Sequence, residues 1–402
     1  MPTKQGNVLI GQSGGPTAVI NQSLVGLVET CQGSKKVGSI LGAVHGIQGV
    51  LQNRIVDLGR ESRTTLETVA RTPGSALRSV RKKPTPEECE QIFHRLEALD
   101  VHWFFYIGGN DSAETANLLS RMAQDAKYEL AIFHVPKTID NDLRVTDHCP
   151  GYGSAARFVA SAFLGDNQDN RSLPGIKVDV IMGRNAGWLT ASAALARVHP
   201  DDGPHLIYVP ERVFSADAFI ADVDRVYKEH GRCLIAVSEG IHDAAGKSPI
   251  ESKEVDSHGN AQLSGSGALG DWLADLIRAR LGAKLRVRAD TFGYLQRSFA
   301  GVWSETDATE AREVGRTAVR VATAGERPHG SVVILREPGP GYRVRFEVTE
   351  LKNVAKETRP MEARYLAGDN DVSGDFLEYA RPLVGPLPVA ARLSDHAVAK
   401  KL

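Results

Sequence analysis

The sequence predicts an α/β protein of two lobes, each built on a mainly parallel sheet with helices on both faces. Three observations carry that expectation. Short continuous apolar runs alternate with amphipathic helical patterns, the signature of buried parallel strands. Glycine-rich or charged turns follow several of those runs. The chain has 402 residues, too many for one ordinary core and enough for two.

Taken in order, Asn7 to Ile10 reads as a strand and Pro16 to Glu29 as a helix. Trp103 to Ile107 is a strand, Ser112 to Ala126 a helix and Leu130 to Val135 a strand. The alternation continues with Lys177 to Met182, then Gly187 to Arg197 as a helix, and Cys233 to Val237 as a strand. Gly267 to Leu281 is a helix and Lys284 to Arg288 a strand. Asp201 to Gly203 and the polar stretch Asp243 to Gly265 read as loops. Ser264-Gly265-Ser266-Gly267 leads directly into a helix, so it is no linker. Beyond Pro338 the alternation weakens, and Pro382 to Pro388 marks an irregular tail. In open parallel sheets, ligands bind at the carboxyl ends of strands. The turns after residues 10, 107, 135, 182 and 237 therefore form the expected functional edge.

Apolar residues make up 42% and charged residues 24% of the chain, which suits a globular protein. A formal net charge of −1 supplies no global field to hold nucleic acid or an anionic membrane. No apolar run approaches the ~20 residues that span a bilayer. The four scattered cysteines form no Cys-x-x-Cys pair, as expected of reduced, packed thiols. With an N-terminus unlike a secretory signal, the expected location is the cytoplasm. The 12 histidines include His45, His102, His134 and His148, and no pair has zinc-ligand spacing.

Chemistry concentrates in five segments. Gly11-Gln12-Ser13-Gly14-Gly15-Pro16-Thr17 joins a strand to a helix, with Pro16 suited to the first helical position. A plain tight turn explains it as well as a phosphate contact does. It matches neither G-x-G-x-x-G nor the Walker pattern, which disfavours a dinucleotide or P-loop site. Gly108-Gly109-Asn110-Asp111-Ser112 ends a strand and opens a helix. Capping by Asp111 or Ser112 would not need two glycines, so the pair favours ligand contact. Pro136-Lys137-Thr138-Ile139-Asp140-Asn141-Asp142 holds a cation, a hydroxyl and two carboxylates. A carboxylate there can take a proton from a sugar hydroxyl while Lys137 holds phosphate charge.

Met182-Gly183-Arg184 places an arginine after a strand, where it can meet a phosphoryl oxygen. Glu239, after another strand, can accept from sugar hydroxyls or stand exposed. In Arg286 to Arg297, alternating basic residues share one face. Arg288, Tyr294 and Arg297 make a clamp for a terminal phosphate, against the alternative of a charged strand edge. Arg78, after a glycine turn, is a weaker anion candidate.

Together and in this order, these motifs resemble the phosphofructokinase family across most of the chain. The tail Leu351 to Pro360, with Tyr379-Ala380-Arg381-Pro382, is similar to the pyrophosphate-dependent branch. The resemblance implies two Rossmann-like three-layer lobes with the active site in the cleft between them. Residues 1–150 with about 296–345 would hold the phosphoryl donor, residues 151–295 the sugar phosphate, and residues 346–402 would pack on both. It implies reversible phosphoryl transfer from pyrophosphate to the 1-hydroxyl of fructose 6-phosphate, giving fructose 1,6-bisphosphate and phosphate, in glycolysis or gluconeogenesis.

By the same resemblance, Asp140 is the general base and Thr138 orients the sugar or the phosphoryl group. Arg184 stabilises the charge in transfer. Asp142, Met182, Gly183 and Glu239 adjoin the sugar. Tyr294, Arg297 and Arg288 bind its 6-phosphate, Arg288 lent by a neighbouring subunit of a homodimer or homotetramer. Gly14, Gly15, Gly109, Asp111, Lys137 and Arg78 face pyrophosphate. Mg²⁺ accompanies it, near Asn110 and Asp111. Relatives that use ATP carry glycine where this chain has Asp111 and Lys137, and aspartate where it has Asn110. The physics agrees. A carboxylate ~4 Å from a nucleotide's inner phosphate costs about 1 kcal/mol in water and about 4 at an effective dielectric of 20. Lys137 adds the attraction for the short donor. The rival readings are an ATP-dependent enzyme of this fold, a catalytically silent sugar-phosphate sensor, and a related lipid or dinucleotide kinase.

Overall fold

The computed structural model describes residues 5–250, 266–394 and 396. The expected loop residues 251–265 lie outside them. Among the described residues, eleven strands build the two main sheets, and a short antiparallel pair, Leu366–Ala367 with Asp371–Val372, stands apart. In chain order they are β1 (Gly6–Gln12), β2 (Val37–Ala43), β3 (Ile55–Asp57), β4 (Val101–Gly108), β5 (Ala131–Pro136) and β6 (Ile176–Ile181). There follow β7 (Leu206–Tyr208), β8 (Cys233–Ser238), β9 (Val287–Thr291), β10 (His329–Arg336) and β11 (Val344–Thr349).

The larger sheet has the order β11-β10-β5-β4-β1-β2-β3, parallel except at its antiparallel edge strands β3 and β11. The smaller, β7-β8-β6-β9, is wholly parallel. Its strands are buried on both faces for a physical reason. One core joins β6 and β8 to the helices Ala216–His230 and Ala268–Leu281. The other packs the helices Tyr152–Ser172 and Gly374–Val384 on the opposite face. The larger sheet is likewise covered. Ile20–Gln32 and Glu305–Ala324 lie on one side, and Pro86–Ala98 and Asn110–Asp125 on the other. All four cysteines are buried free thiols.

Four expectations shift. The first long helix starts at Ile20, so Pro16 is not its first residue. Residues 13–19 instead form a bent segment, pinned where Gly74 N–H donates to the Thr17 carbonyl and the Ser79 hydroxyl to that of Gly14. The expected helix Gly187 to Arg197 is one α turn, Trp188–Ala191, followed by a 3₁₀ segment, Ser192–Ala196. The strand expected at Lys284 to Arg288 runs Val287–Thr291, because pairing with β6 begins at Ile176 with Val287. Pro382 lies inside the helix Gly374–Val384, which ends two residues later; the irregular tail starts after Gly385.

Candidate active site

A cleft of about 480 Å³ opens at the carboxyl ends of β1, β4, β5, β6 and β8. Its walls come from both sheets, from the turn Gly293–Arg297 and from the segment around Lys356 and Thr358. That is where an open parallel sheet presents its ligand-binding turns.

One half is assembled from the two glycine turns. Gly14 has φ +76°, and a Cβ there would sit 3.0 Å from the Lys137 Nζ. Gly108 is needed for a second reason: a Cβ would collide with the Ser112 and Ser13 hydroxyls, which bond to each other. The buried His134 ring contacts the Ser331 hydroxyl and the Gly108 carbonyl, both at 2.8 Å, and so braces this turn from behind. Burial holds its pKa down at about 4. Asn110 and Asp111 form the first turn of Asn110–Asp125, capped by the Gly109 backbone rather than by a side chain. Asp111 lines the cleft, as does its sequel Thr115. A carboxylate is favoured at a helix N-terminus.

The floor is the run from Pro136 to Asp142. Lys137 is 3% exposed, too buried to be a solvated loop cation. Its ammonium donates to the Gly15 carbonyl at 2.7 Å. Burial, helped by the charge of Arg297, pushes its pKa down to about 7. The Thr138 hydroxyl oxygen accepts from the Asp140 N–H at 3.1 Å, which leaves its O–H to donate elsewhere. Burial raises the pKa of Asp140 against the pull of Arg297, Lys137, Arg184 and Arg81. Asp142 rises to about 7 through burial and the like charge of Asp140.

Between the two carboxylates, Asn141 adopts φ +57° and turns the chain sharply. Its side chain is held at both ends, donating to the Tyr379 hydroxyl at 2.8 Å and accepting from the Cys149 N–H at 3.0 Å. Arg359 locks the same turn. Its N–H donates to the Asp142 carbonyl at 2.6 Å. Its guanidinium donates to the carbonyls of Thr146, Asn141 and Asp147 at 2.6, 3.1 and 2.9 Å. It also lies 4.9 Å over the Trp188 ring.

The lining continues through Met182, Arg184, Asn185, Glu239, Tyr294 and Arg297, and the Arg297 guanidinium reaches back to the Gly15 turn, 3.4 Å from where a Gly15 Cβ would sit. The buried Gln296 ties these parts together, accepting from the Met182 N–H at 3.3 Å and donating to the Gly293 carbonyl at 2.8 Å. Arg297 stacks 4.5 Å over the Tyr294 ring, which orders the two side chains against each other. The Ser238 hydroxyl holds the Gly183 carbonyl at 2.5 Å, with Gly183 itself set back from the cleft lining.

Most expected site residues therefore meet: Gly14, Gly15, Gly109, Asn110, Asp111, Lys137, Thr138, Asp140, Asp142, Met182, Arg184, Glu239, Tyr294 and Arg297. Two do not. Arg78 is exposed with φ +60°, so the chain reverses there and delivers Arg81 and Lys82 to the cleft instead. Arg288 is exposed on β9, away from the cleft lining. Arg81, Lys82, Lys356 and Thr358 escaped the sequence reading as site residues. The run Arg81-Lys82-Lys83 was a visible signal for the first two. Asp111, Asp140 and Asp142, with the Asn110 amide oxygen, bring to the cleft lining the hard oxygen donors that a divalent cation takes. A second group of carboxylates, Asp166, Asp179 and Asp290, surrounds Lys177 at 2.7, 3.9 and 2.9 Å, so its cation is that ammonium.

Among the described residues, no helix is long and apolar enough to cross a membrane. The phosphofructokinase family profile matches residues 7–322. The chain is 52% identical to the pyrophosphate--fructose 6-phosphate 1-phosphotransferase of Rhodospirillum rubrum, across 99% of each chain. It is 38% identical to the Xanthomonas campestris protein of that name, across 99% of this chain and 98% of the other. The crystal structure of a pyrophosphate-dependent phosphofructokinase from Marinobacter aquaeolei superposes with a TM-score of 0.85 at 30% identity, covering 99% of this chain and 98% of that one. A counterpart from Nitrosospira multiformis gives 0.83 at 32% identity, covering 99% of each. By its motifs, its cleft and these matches, the chain belongs to the phosphofructokinase family.

Proposed function

We propose that this protein transfers a phosphoryl group from pyrophosphate to the 1-hydroxyl of fructose 6-phosphate, reversibly, giving fructose 1,6-bisphosphate and phosphate. The observation that carries the reading is the joint presence of Asp111 and Lys137 on the lining of one cleft. A negative side chain repels the longer nucleotide chain, and a buried positive one suits a compact donor.

In this reading Tyr294, Arg297 and a neighbouring subunit's Arg288 hold the sugar 6-phosphate. Met182 and Glu239 adjoin the ring, and Thr138 donates to it or to the phosphoryl group. Asp140 takes the proton of the 1-hydroxyl as the new O–P bond forms. The bridging P–O bond breaks, and phosphate leaves with the electron pair. Arg184 and Lys137 hold the charge carried across. Gly14, Gly15 and Gly109 give pyrophosphate close access to backbone. Enzymes of this family generally use a divalent metal. Mg²⁺ is the proposed ion; held by Asp111 and the Asn110 amide oxygen beside the donor, it would neutralise phosphate charge.

Residues 1–150 with about 296–345 form the donor lobe, residues 151–295 the sugar lobe, and residues 346–402 the packing extension. The assembly is a cytoplasmic homodimer or homotetramer, completed by Arg288. The test is steady-state turnover of fructose 6-phosphate and Mg²⁺ with pyrophosphate or ATP. Preference for pyrophosphate supports the reading; turnover with ATP alone, or none with either donor, overturns it.

A further inference from the structure

The segment after β11 carries a cation into the donor half of the cleft that the reading above does not use. Lys356 lines the cleft beside Asn110, Asp111 and Thr115. Its backbone is in the left-handed region, φ +73°, which an unbranched lysine adopts only when its surroundings impose it. The surroundings do. Val354 and Ala355 pack in a small core with Ala113, Leu143 and Cys149. Asn110 donates from its amide to the Lys356 carbonyl at 3.4 Å. Two residues on, Thr358 bridges to Leu143, and Arg359 bonds to the Asp142 carbonyl. The segment is thus stitched to the donor helix on one side and to the reacting loop on the other.

Its charge is only partly answered. The Lys356 ammonium lies 3.7 Å from Glu114, a long pairing. Glu114 already holds Lys83 at 2.8 Å. One carboxylate between two ammonium groups leaves net positive charge at this rim. The Lys356 side chain is 72% exposed, so its ammonium is free to leave this long pairing for an anion that enters the cleft.

We propose that Lys356 is a further donor-binding residue, its ammonium engaging the phosphate of pyrophosphate that departs. The inference rests on the pyrophosphate reading. The departing phosphate is the assigned partner because Lys356 is tied to Asn110 and the donor helix, whereas Asp140, Lys137 and Arg184 surround the phosphoryl group in transfer. It binds the same ion as product, so it serves phosphate in the reverse direction as well.

The test uses the full chain carrying Lys356→Asn, which removes the cation while suiting a left-handed backbone, and Lys356→Arg, which keeps it. In Lys356→Asn the KM for pyrophosphate should rise about tenfold, the loss of one charge-assisted hydrogen bond. The KM for fructose 6-phosphate should stay within about twofold, and the KM for phosphate in reverse should rise in parallel with that for pyrophosphate. Lys356→Arg should recover most of the loss. An unchanged pyrophosphate KM, or equal losses for donor and sugar with a lowered Tm, would overturn the assignment. If the unmodified chain shows no pyrophosphate turnover, the underlying reading fails instead, which the wild-type control shows separately.

Discussion

The ammonium of Lys137 donates to the carbonyl of Gly15 at 2.7 Å, joining the turn after β5 to the turn after β1 before any donor arrives. A buried cation waiting on one neutral carbonyl is costly to the fold and useful to an anion. Lys137→Met should therefore raise Tm by a few degrees while abolishing pyrophosphate turnover. The sign follows from the pKa, about 7 in the folded chain against 10.5 in the unfolded one. Between those values the unfolded state holds more protons, so wild-type stability climbs as pH rises from 7. The advantage of the variant should be largest at or below pH 7 and close towards pH 10. Thermal scans across that range check it.

Asp140 must be unprotonated to accept the hydroxyl proton, and burial raises its pKa next to Asp142 at about 7. The two carboxylates titrate as a pair. The forward rate should consequently fall on the acid side at a pH above the ordinary carboxylate range. Asp140→Ala should abolish turnover and leave sugar-phosphate binding largely intact. Asp142→Asn removes one negative charge, so its acid limb should shift to lower pH. Profiles of kcat against pH for the wild type and Asp142→Asn provide the comparison, and an unmoved limb would separate the two groups.

Gly14 combines φ +76° with a Cβ position 3.0 Å from the Lys137 ammonium. Gly14→Ala should cost about 1–2 kcal/mol of stability from the left-handed backbone alone. It should also displace Lys137, so the KM for pyrophosphate should rise more than that for the sugar phosphate. Denaturant melts and donor titrations separate the two effects.

Arg359 reaches the reacting loop through carbonyls of Asn141, Thr146 and Asp147, as well as through its own N–H to Asp142. Arg359→Ala leaves those buried acceptors without a charged donor and should cost roughly 3 kcal/mol. Turnover should fall further than the folded fraction does, because Asn141 then no longer fixes the two carboxylates. Activity normalised to folded protein, measured by circular dichroism, reads that difference.

Much of this architecture was legible in the residues. β1, β4, β5, β6 and β8 each present a buried apolar run ending in a glycine, proline or charged turn, and the cleft is made of those turns. What stayed hidden depended on a single backbone reversal or on distant partners. Arg78 is a weaker anion candidate in the sequence, yet it stands exposed at a positive φ, and Arg81 lines the cleft instead. Pro16 resembled a helix start, but the bonds from Gly74 and Ser79 hold residues 13–19 out of the helix. Lys356 lies 246 residues from Asn110 in the chain, so no local pattern could bring them together. The tail segment Leu351 to Pro360 resembles the pyrophosphate-dependent branch, and the contacts of its Arg359 with the carbonyls of Asn141 and Asp142 supply a physical reason for its presence.

The most direct test removes the two charges proposed to flank the donor. In a chain carrying both Asp111→Gly and Lys137→Gly, turnover with ATP relative to pyrophosphate should rise by at least tenfold, the scale of one like-charge contact in a partly screened site. Pyrophosphate use should fall in the same variant. A donor ratio equal to that of the wild type, in a folded protein, would contradict the claim that these residues choose the phosphoryl donor.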